Sequence, residues 1–351
     1  MNYRNDVQIL RGIAVLVVVL FHLEIPAFSS GFLGVDVFFV ISGYLMAILF
    51  DPKEPGSFYL RRARRLLPAY FATVIATLVA VTLVTTPNEL DQLLPQVANA
   101  LGFTSNLGYW ARDSYFDKHE FKPLLHLWSL AVEIQFYILV PLLARLVGRF
   151  RLAGLAIVTL LSAVLCFALV ADFPQSAFFL LPARMWEFLL GYTVGAVLGD
   201  HPLGSPRAHR LGLVGLAVLV LIPSVPISGA GSGFLDGHPG LAALIITLAT
   251  ALVIATGLPG RLITSAPARA LERLGDWSYS IYLAHFPVIV LMLYTPFGGT
   301  VTRSPTAARL AMVLLAVGLA AFLLYSLVER PFRQARPGWP TLAGVITTTI
   351  G

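Results

Sequence analysis

Charge is scarce in this chain. Lys, Arg, Asp and Glu make up 12% of its 351 residues, about half the ~25% of an ordinary soluble domain, and mean hydropathy is +0.81. That excludes a water-soluble globule and leaves a polytopic membrane protein. Cysteine is nearly absent: Cys166 stands alone in an apolar run, which excludes a disulfide framework and a thiolate metal cluster. No metal is expected. Internal repeats and a soluble domain are also lacking, and Pro87 to Leu125 is the one sizeable hydrophilic insert. A pI near 9.6 would suit nucleic acid, but the basic residues sit in short loops between apolar runs, as topology signals do. No nucleic-acid partner is expected.

What the chain has in abundance is span-length apolar sequence. Ten runs can cross a hydrocarbon core, which takes about 20 helical residues, at 7–27, 31–50, 69–86, 127–147, 152–171, 177–199, 210–227, 240–258, 276–296 and 306–328. The expected fold class is therefore all-α, with the lipid bilayer as partner. Lys and Arg divide 17 to 4 between alternate loops, which puts both ends of the ten-span core in the cytoplasm and the Pro87–Leu125 insert outside. Residues 1–336 form one transmembrane domain. The tail 337–351, uncharged and too short to cross, is expected to be a surface tail or the start of an eleventh span. A cleaved signal peptide is the competing reading of the first run. His22 and Glu24 near its end, and the second apolar run directly after it, speak against removal.

Ionisable groups inside spans cost at least ~2.5 kcal/mol at a helix centre, so each requires a reason. In "LRGIAVLVVVLFH", Arg11 and His22 lie about 16 Å apart along a helix and face the same way, Arg11 near the cytoplasmic surface and His22 in the outer half. Asp36 and Glu133 fall at the level of His22, with Glu133 two turns below His126 on the same face. Arg184 enters from outside with Glu187 at i+3, and His285 reaches mid-membrane with Tyr282 at i−3. Blander readings stand beside these. Arg184–Glu187 suits a structural ion pair, His285 before Pro287 suits a kink carbonyl, Trp128 suits packing or an interfacial belt, and Ser42–Gly43 suits close helix approach. A histidine with a nearby carboxylate is the arrangement for general-base chemistry, and no nucleophile-elbow motif accompanies it. Deprotonation of an acceptor hydroxyl by His22 is the most economical chemistry. Arg61, Arg62, Arg64 and Arg65 in "SFYLRRARRLLPAYF" read either as an anchor at anionic lipid or as a phosphate site.

Taken together and in order, "LRGIAVLVVVLFH", "GFLGVDVFFVISGYL", "FYLRRARRLLPAYF", "LLHLWSLAVEIQFYILVPLL", "ARMWEFLLGY", "LGDWSYSIYLAHFPVIV" and "LVERPFR" resemble the acyltransferase-3 family of integral membrane acyltransferases across all ten spans. The resemblance implies acyl, usually acetyl, transfer from cytoplasmic acetyl-CoA to a hydroxyl of an extracytoplasmic carbohydrate such as O-antigen or another surface polysaccharide, in a bacterial inner membrane. It implies functional roles for Arg11, His22 and an RxxR pair, either Arg61/Arg64 or Arg62/Arg65. Asp36, Ser42, Gly43, His126, Trp128, Ser129 and Glu133 fall in its other motif blocks. On this reading His22, Asp36 and Glu133 are catalytic, and Arg11 and the arginine cluster bind the donor. Ser42, His126, Trp128, Arg184, Tyr282 and His285 line the acceptor side. Many relatives carry an SGNH-type esterase domain after an extra span, and "ARMWEFLLGY" resembles those fused members, so this chain is expected to be the membrane half of a longer enzyme. The "VQIL" after the first Asp departs from the family's usual acidic and glycine residues.

Two other classes compete. A lipid-linked-sugar flippase also wants intramembrane charge, but it predicts inverted repeats, and none is visible. A polyprenol-dependent glycosyltransferase wants clustered metal-ligating acids, and Asp91, Asp113 and Asp117 are scattered.

Overall fold

The computed structural model of the chain describes residues 3–112, 120–227, 237–296, 298 and 306–334. Among them there is no strand. The long helices are α1 (Asn5–His22), α2 (Gly34–Leu49) and α3 (Pro55–Val84), then α4 (Pro87–Leu101), α5 (Ser105–Arg112) and α6 (Leu127–Leu169). A short α7 (Pro174–Phe179) leads into α8 (Leu181–Leu198), α9 (Pro206–Leu221) and α10 (Leu241–Thr256). After one turn, α11 (Gly260–Ile263), come α12 (Ala266–Met292) and α13 (Ala307–Leu324), with a π-helical stretch, Tyr325–Glu329, leading into α14 (Arg330–Gln334).

Seven stretches among the described residues are long and apolar enough to cross a membrane, which makes this a multi-pass membrane protein. They match seven of the ten expected runs. α10 is apolar but has 16 residues, while α8 and α12 carry polar groups and fall outside the seven. The third span starts well before its expected edge at 69, because the arginine stretch is itself the first turns of α3. Pro55 at the start of α3 supplies a φ suited to a first turn and has no N–H to leave unpaired. The hydrophilic insert is largely helical too, as α4 and α5. The tail 337–351 lies outside the described residues.

The loop expected between the fourth and fifth runs is helical backbone within α6. That stretch is nevertheless not a rod. Trp128 packs on Phe178 with ring centroids 4.4 Å apart, while the Ser162 hydroxyl donates to the Pro182 carbonyl at 2.6 Å. Phe178 and Pro182 are four residues apart, at most about 14 Å, whereas a straight helix would hold 128 and 162 about 51 Å apart. The chain therefore doubles back between these contacts and makes two antiparallel arms, as two spans require.

Helix directions follow from the same kind of contact. Arg4 reaches Tyr44 while Gly34 abuts Ala14 and Val18, so α1 and α2 are antiparallel. Asp36 meets Arg184 and Tyr44 meets Gly195, so α2 and α8 run together. The α2–α8 contact is a backbone-to-backbone approach. A Cβ on Gly43 would strike the Phe188 carbonyl, and one on Gly191 the Val40 carbonyl, the small-residue packing by which helices associate in lipid.

Gly43→Ala is expected to cost at least ~1–3 kcal/mol through overpacking and to lower the unfolding temperature in detergent. Gly56→Ala, where nothing lies within 4 Å, is expected to leave it unchanged or raise it slightly.

Candidate active site

The deepest charges form a clamp. Arg184 on α8 is wholly buried, 3.0 Å from Asp36 on α2 and 3.2 Å from Glu187 one turn along its own helix. His238 adds a ring nitrogen 3.4 Å from the guanidinium. Phe39, Trp128 and Phe178 stack their faces around it at 5.3–5.9 Å, where a desolvated cation gains from ring quadrupoles. Asp36 is turned to this clamp because it shares a helical face with Val40 and Gly43, the residues against α8.

The opposite face of α2 borders a cleft of about 650 Å³. Its inner walls are apolar, with Val35, Phe38, Phe39, Leu45 and Leu130 among them, and its polar groups are few and concentrated. Arg11, Arg62 and Arg65 stand at one end, where a wider mouth of about 730 Å³ shares all three and adds Tyr3, Arg4 and Gln8. Arg11 donates to Gln8 at 3.1 Å. Arg4 is held by Asp6 at 2.6 Å and by the Ile254 carbonyl at 2.7 Å. Glu133 lies within the cleft and accepts hydrogen bonds from Ser42 and Tyr137 on one carboxylate oxygen. Ser129 and Tyr282 line it as well.

The two overlapping RxxR registers are thus distinguished by rotation about α3. Arg62 and Arg65 line the cleft. Arg61 is exposed and donates to Ser57 at 2.9 Å, and Arg64 is not among the lining residues.

Beyond Tyr282 lie three histidines. Tyr282 donates its hydroxyl proton to the His126 carbonyl at 3.0 Å, and its oxygen is 2.6 Å from the Ser129 hydroxyl. Its own carbonyl accepts from Nδ1 of His285 at 2.6 Å. A neutral imidazole that donates from Nδ1 accepts at Nε2, and Nδ1 of His22 lies 3.2 Å from that nitrogen. His22 is therefore the donor through Nδ1, and its unprotonated nitrogen in the neutral pair is Nε2. His126 donates from Nε2 to the Leu283 carbonyl at 3.1 Å, its ring centroid 5.6 Å from that of His285.

Asp36 and Glu133, expected beside His22, are engaged elsewhere, the first in the clamp and the second two turns deeper with Ser42. The ring that meets His22 is His285. Trp128 packs among Phe39, Phe178 and Phe179, and Arg184 serves the clamp. Sequence reasoning missed Tyr137, Tyr279 and His238. Tyr137 lies at i+4 from Glu133 and was findable by helical spacing; His238 sits in a loop and gave no such signal. Among the described residues, no group of three or more His, Cys, Asp or Glu is placed to hold a metal ion.

The fold and the cleft define a multi-pass membrane protein with a basic cleft whose lining ends at Tyr282, next to a histidine cluster. A family model described as an acyltransferase domain matches residues 4–328. The chain is 32% identical to the Komagataeibacter xylinus protein named "Putative membrane-bound transacylase BcsY", over 94% of this chain and 83% of that one. It is 30% identical to the O-acetyltransferase OatA of Staphylococcus aureus strain NCTC 8325, over 95% of this chain and 58% of that one. The chain thus spans little more than half the length of the staphylococcal relatives it matches. No solved structure matches it. The chain belongs to the acyltransferase-3 family.

Removing one partner of a buried ion pair strands the other, at about 3–5 kcal/mol. Asp36→Ala is expected to lower the unfolding temperature in detergent sharply. Arg64→Ala, on a residue outside the cleft and the clamp, is expected to move it by no more than a degree or two.

Proposed function

We propose that the chain moves an acyl group, acetyl in the first instance, from cytoplasmic acetyl-CoA to a hydroxyl of an extracytoplasmic carbohydrate such as O-antigen or another surface polysaccharide. On this reading all ten runs cross a bacterial inner membrane, with both ends of the core in the cytoplasm, and an SGNH-type domain is a partner beyond the membrane half. The observation that carries it is the single cleft that begins among Arg11, Arg62 and Arg65 and ends at Tyr282, the residue whose carbonyl holds His285.

Each part of the cleft has a task in that reaction. Planar guanidinium groups bind phosphate oxygens through paired N–H donors, so Arg11, Arg62 and Arg65 suit the diphosphate of the donor at the mouth. The apolar walls between them and Tyr282 suit the long, uncharged arm that carries the thioester. His22, with Nε2 unprotonated, takes the proton of the acceptor hydroxyl. The oxygen then forms its bond to the thioester carbonyl carbon, the carbon–sulfur bond breaks, and the proton passes to the leaving thiolate. His285 keeps His22 in the required tautomer by accepting from its Nδ1. That is the role a carboxylate plays beside a catalytic histidine in many hydrolases, filled here by a second imidazole anchored to a main-chain carbonyl.

The test is thioester loss from acetyl-CoA supplied to proteoliposomes on the side bearing Arg62, with mixed polysaccharide acceptors present. His22→Ala is expected to lower turnover by about 10²–10⁴. Arg62→Ala and Arg65→Ala should raise KM for the donor with a smaller effect on kcat, while Arg61→Ala should leave KM near that of the wild type. His285→Gln, whose amide oxygen also accepts from Nδ1 of His22, should retain more activity than His285→Ala. No thioester loss from the wild type under these conditions, with the lipid-linked saccharide redistributing across the bilayer instead, would overturn acyl transfer in favour of transport.

A further inference from the structure

A second recess, of about 340 Å³, opens at the same end of the bundle as His22, between α4, α5 and the turn that leads into α6. Its lining is polar, with Gln92, Gln96, Asn99, Arg112, Glu120 and Lys122 contributing. That is unexpected on a bundle that elsewhere shows apolar side chains outward, and no part of the donor cleft uses these residues.

The recess is preorganised. Glu89, Leu93, Gln96 and Ala100 form the buried stripe of α4, and Gln96 is fully engaged. Its amide donates to the carbonyls of Gln92 and Phe121 at 2.9 and 2.8 Å. Its oxygen accepts from the Tyr109 hydroxyl at 3.0 Å and from the Leu124 backbone at 3.3 Å. Gln92 accepts from the Phe121 N–H at 2.8 Å, so its oxygen is spoken for and its NH₂ is the group left to donate. Asn99 likewise accepts from Thr104 at 3.2 Å through its oxygen. Gly108 keeps the recess open, because a Cβ there would run into the Asn99 amide. Two fixed amide donors, a tyrosine edge and charged side chains of both signs around a small cavity suit a ligand covered in hydroxyl groups, which donate as well as accept.

We infer that this recess binds one sugar ring of the acceptor chain. This rests on the acyl-transfer reading only for which substrate arrives there. Lys122 in its wall is four residues before His126, at most about 14 Å of chain, so a polymer held by one ring in the recess reaches the histidine cluster within a few sugar units. A fixed subsite of this kind converts attack by a dilute polymer hydroxyl into a near-unimolecular step.

The experiment is saturation-transfer NMR on the full chain in nanodiscs with four probes: methyl α-glucopyranoside, methyl α-galactopyranoside, N-acetylglucosamine and glucuronate. Two variants accompany the wild type. Gly108→Val fills the recess, and Asn99→Cys leaves it open until a bulky maleimide is attached, a clean reaction because Cys166 is buried. At least one probe should show transfer from the wild type, with a loss of fivefold or more in Gly108→Val and in labelled, but not unlabelled, Asn99→Cys. Absence of transfer from all four probes overturns the inference, as does transfer that survives labelling. Acetyl-CoA turnover on the same samples separates the two proposals: saccharide binding lost on labelling, from protein that never consumes acetyl-CoA, sinks the acyl-transfer reading and leaves the recess standing.

Discussion

An arginine with no access to water sets the frame for everything else in this bundle. A charge buried in a protein interior has to be paired there, and Arg184 lies between two carboxylates from two helices, Asp36 and Glu187. The pair cannot form unless α2 presents Asp36 to α8. Asp36, Val40 and Gly43 then occupy one face of α2 and settle into backbone contact with α8. The same rotation leaves Val35, Phe38, Ser42 and Leu45 on the other face, where they border the cleft. Ser42 reaches Glu133 because Asp36 reaches Arg184. The clamp touches no part of the cleft's basic end, yet it determines which side chains of α2 the cleft contains.

Charges in the interior fall into two groups that physics treats differently. Arg4 with Asp6, and Arg184 with Asp36, are paired and hydrogen-bonded in place, and Glu187 adds a second carboxylate 3.2 Å from the Arg184 guanidinium. Arg11, Arg62 and Arg65 share a cleft whose one carboxylate, Glu133, is already committed to two hydroxyl donors. Three guanidinium groups against one engaged carboxylate is an imbalance that costs stability in a low-dielectric site, and an anionic ligand at that position relieves it. The distribution of neutralised and excess charge therefore separates scaffold from site more sharply than the depth of any single residue does.

Much of this was legible in the sequence, and the parts that were not have a common cause. Seven of the ten span-length apolar runs, the separation of Arg11 from His22 along α1, and the pairing of Arg184 with Glu187 one turn on all follow from the helical repeat acting within one element. The partner of His22 did not, because depth along a helix axis says nothing about rotation around it. Asp36 and Glu133 were placed near His22 by counting residues, but Asp36 is claimed by α8 and Glu133 by its own helix and Ser42. His285 takes their place because α12 runs beside α1 in the same direction and brings its ring to the end of α1. The two RxxR registers were inseparable for the same reason, since which pair faces inward depends on how α3 is rotated against α1 and α2. The reversal within α6 was legible from the basic residues at 145–151. That its backbone stays helical there was not, since loop and helix carry the same charges equally well.

One helix joins the two halves of the site. Tyr279, Tyr282 and His285 follow one another at i, i+3 and i+6 along α12, close to a single face. Tyr279 donates to the Leu66 carbonyl of α3 at 2.7 Å, Tyr282 to the His126 carbonyl that precedes α6, and His285 accepts from His22 of α1. Each residue ties α12 to a different neighbour, and each stands at a successive depth from the basic end toward the histidines. Tyr282 is the pivot of the series. Its ring lines the cleft, its hydroxyl holds the turn carrying His126, and its carbonyl holds the proton that makes His285 an acceptor. A shift of α12 that moved the Tyr282 ring aside would also disturb the hydrogen bond that sets the tautomer of His22. The inner end of the cleft and the His22–His285 hydrogen bond are thus coupled through one residue of α12.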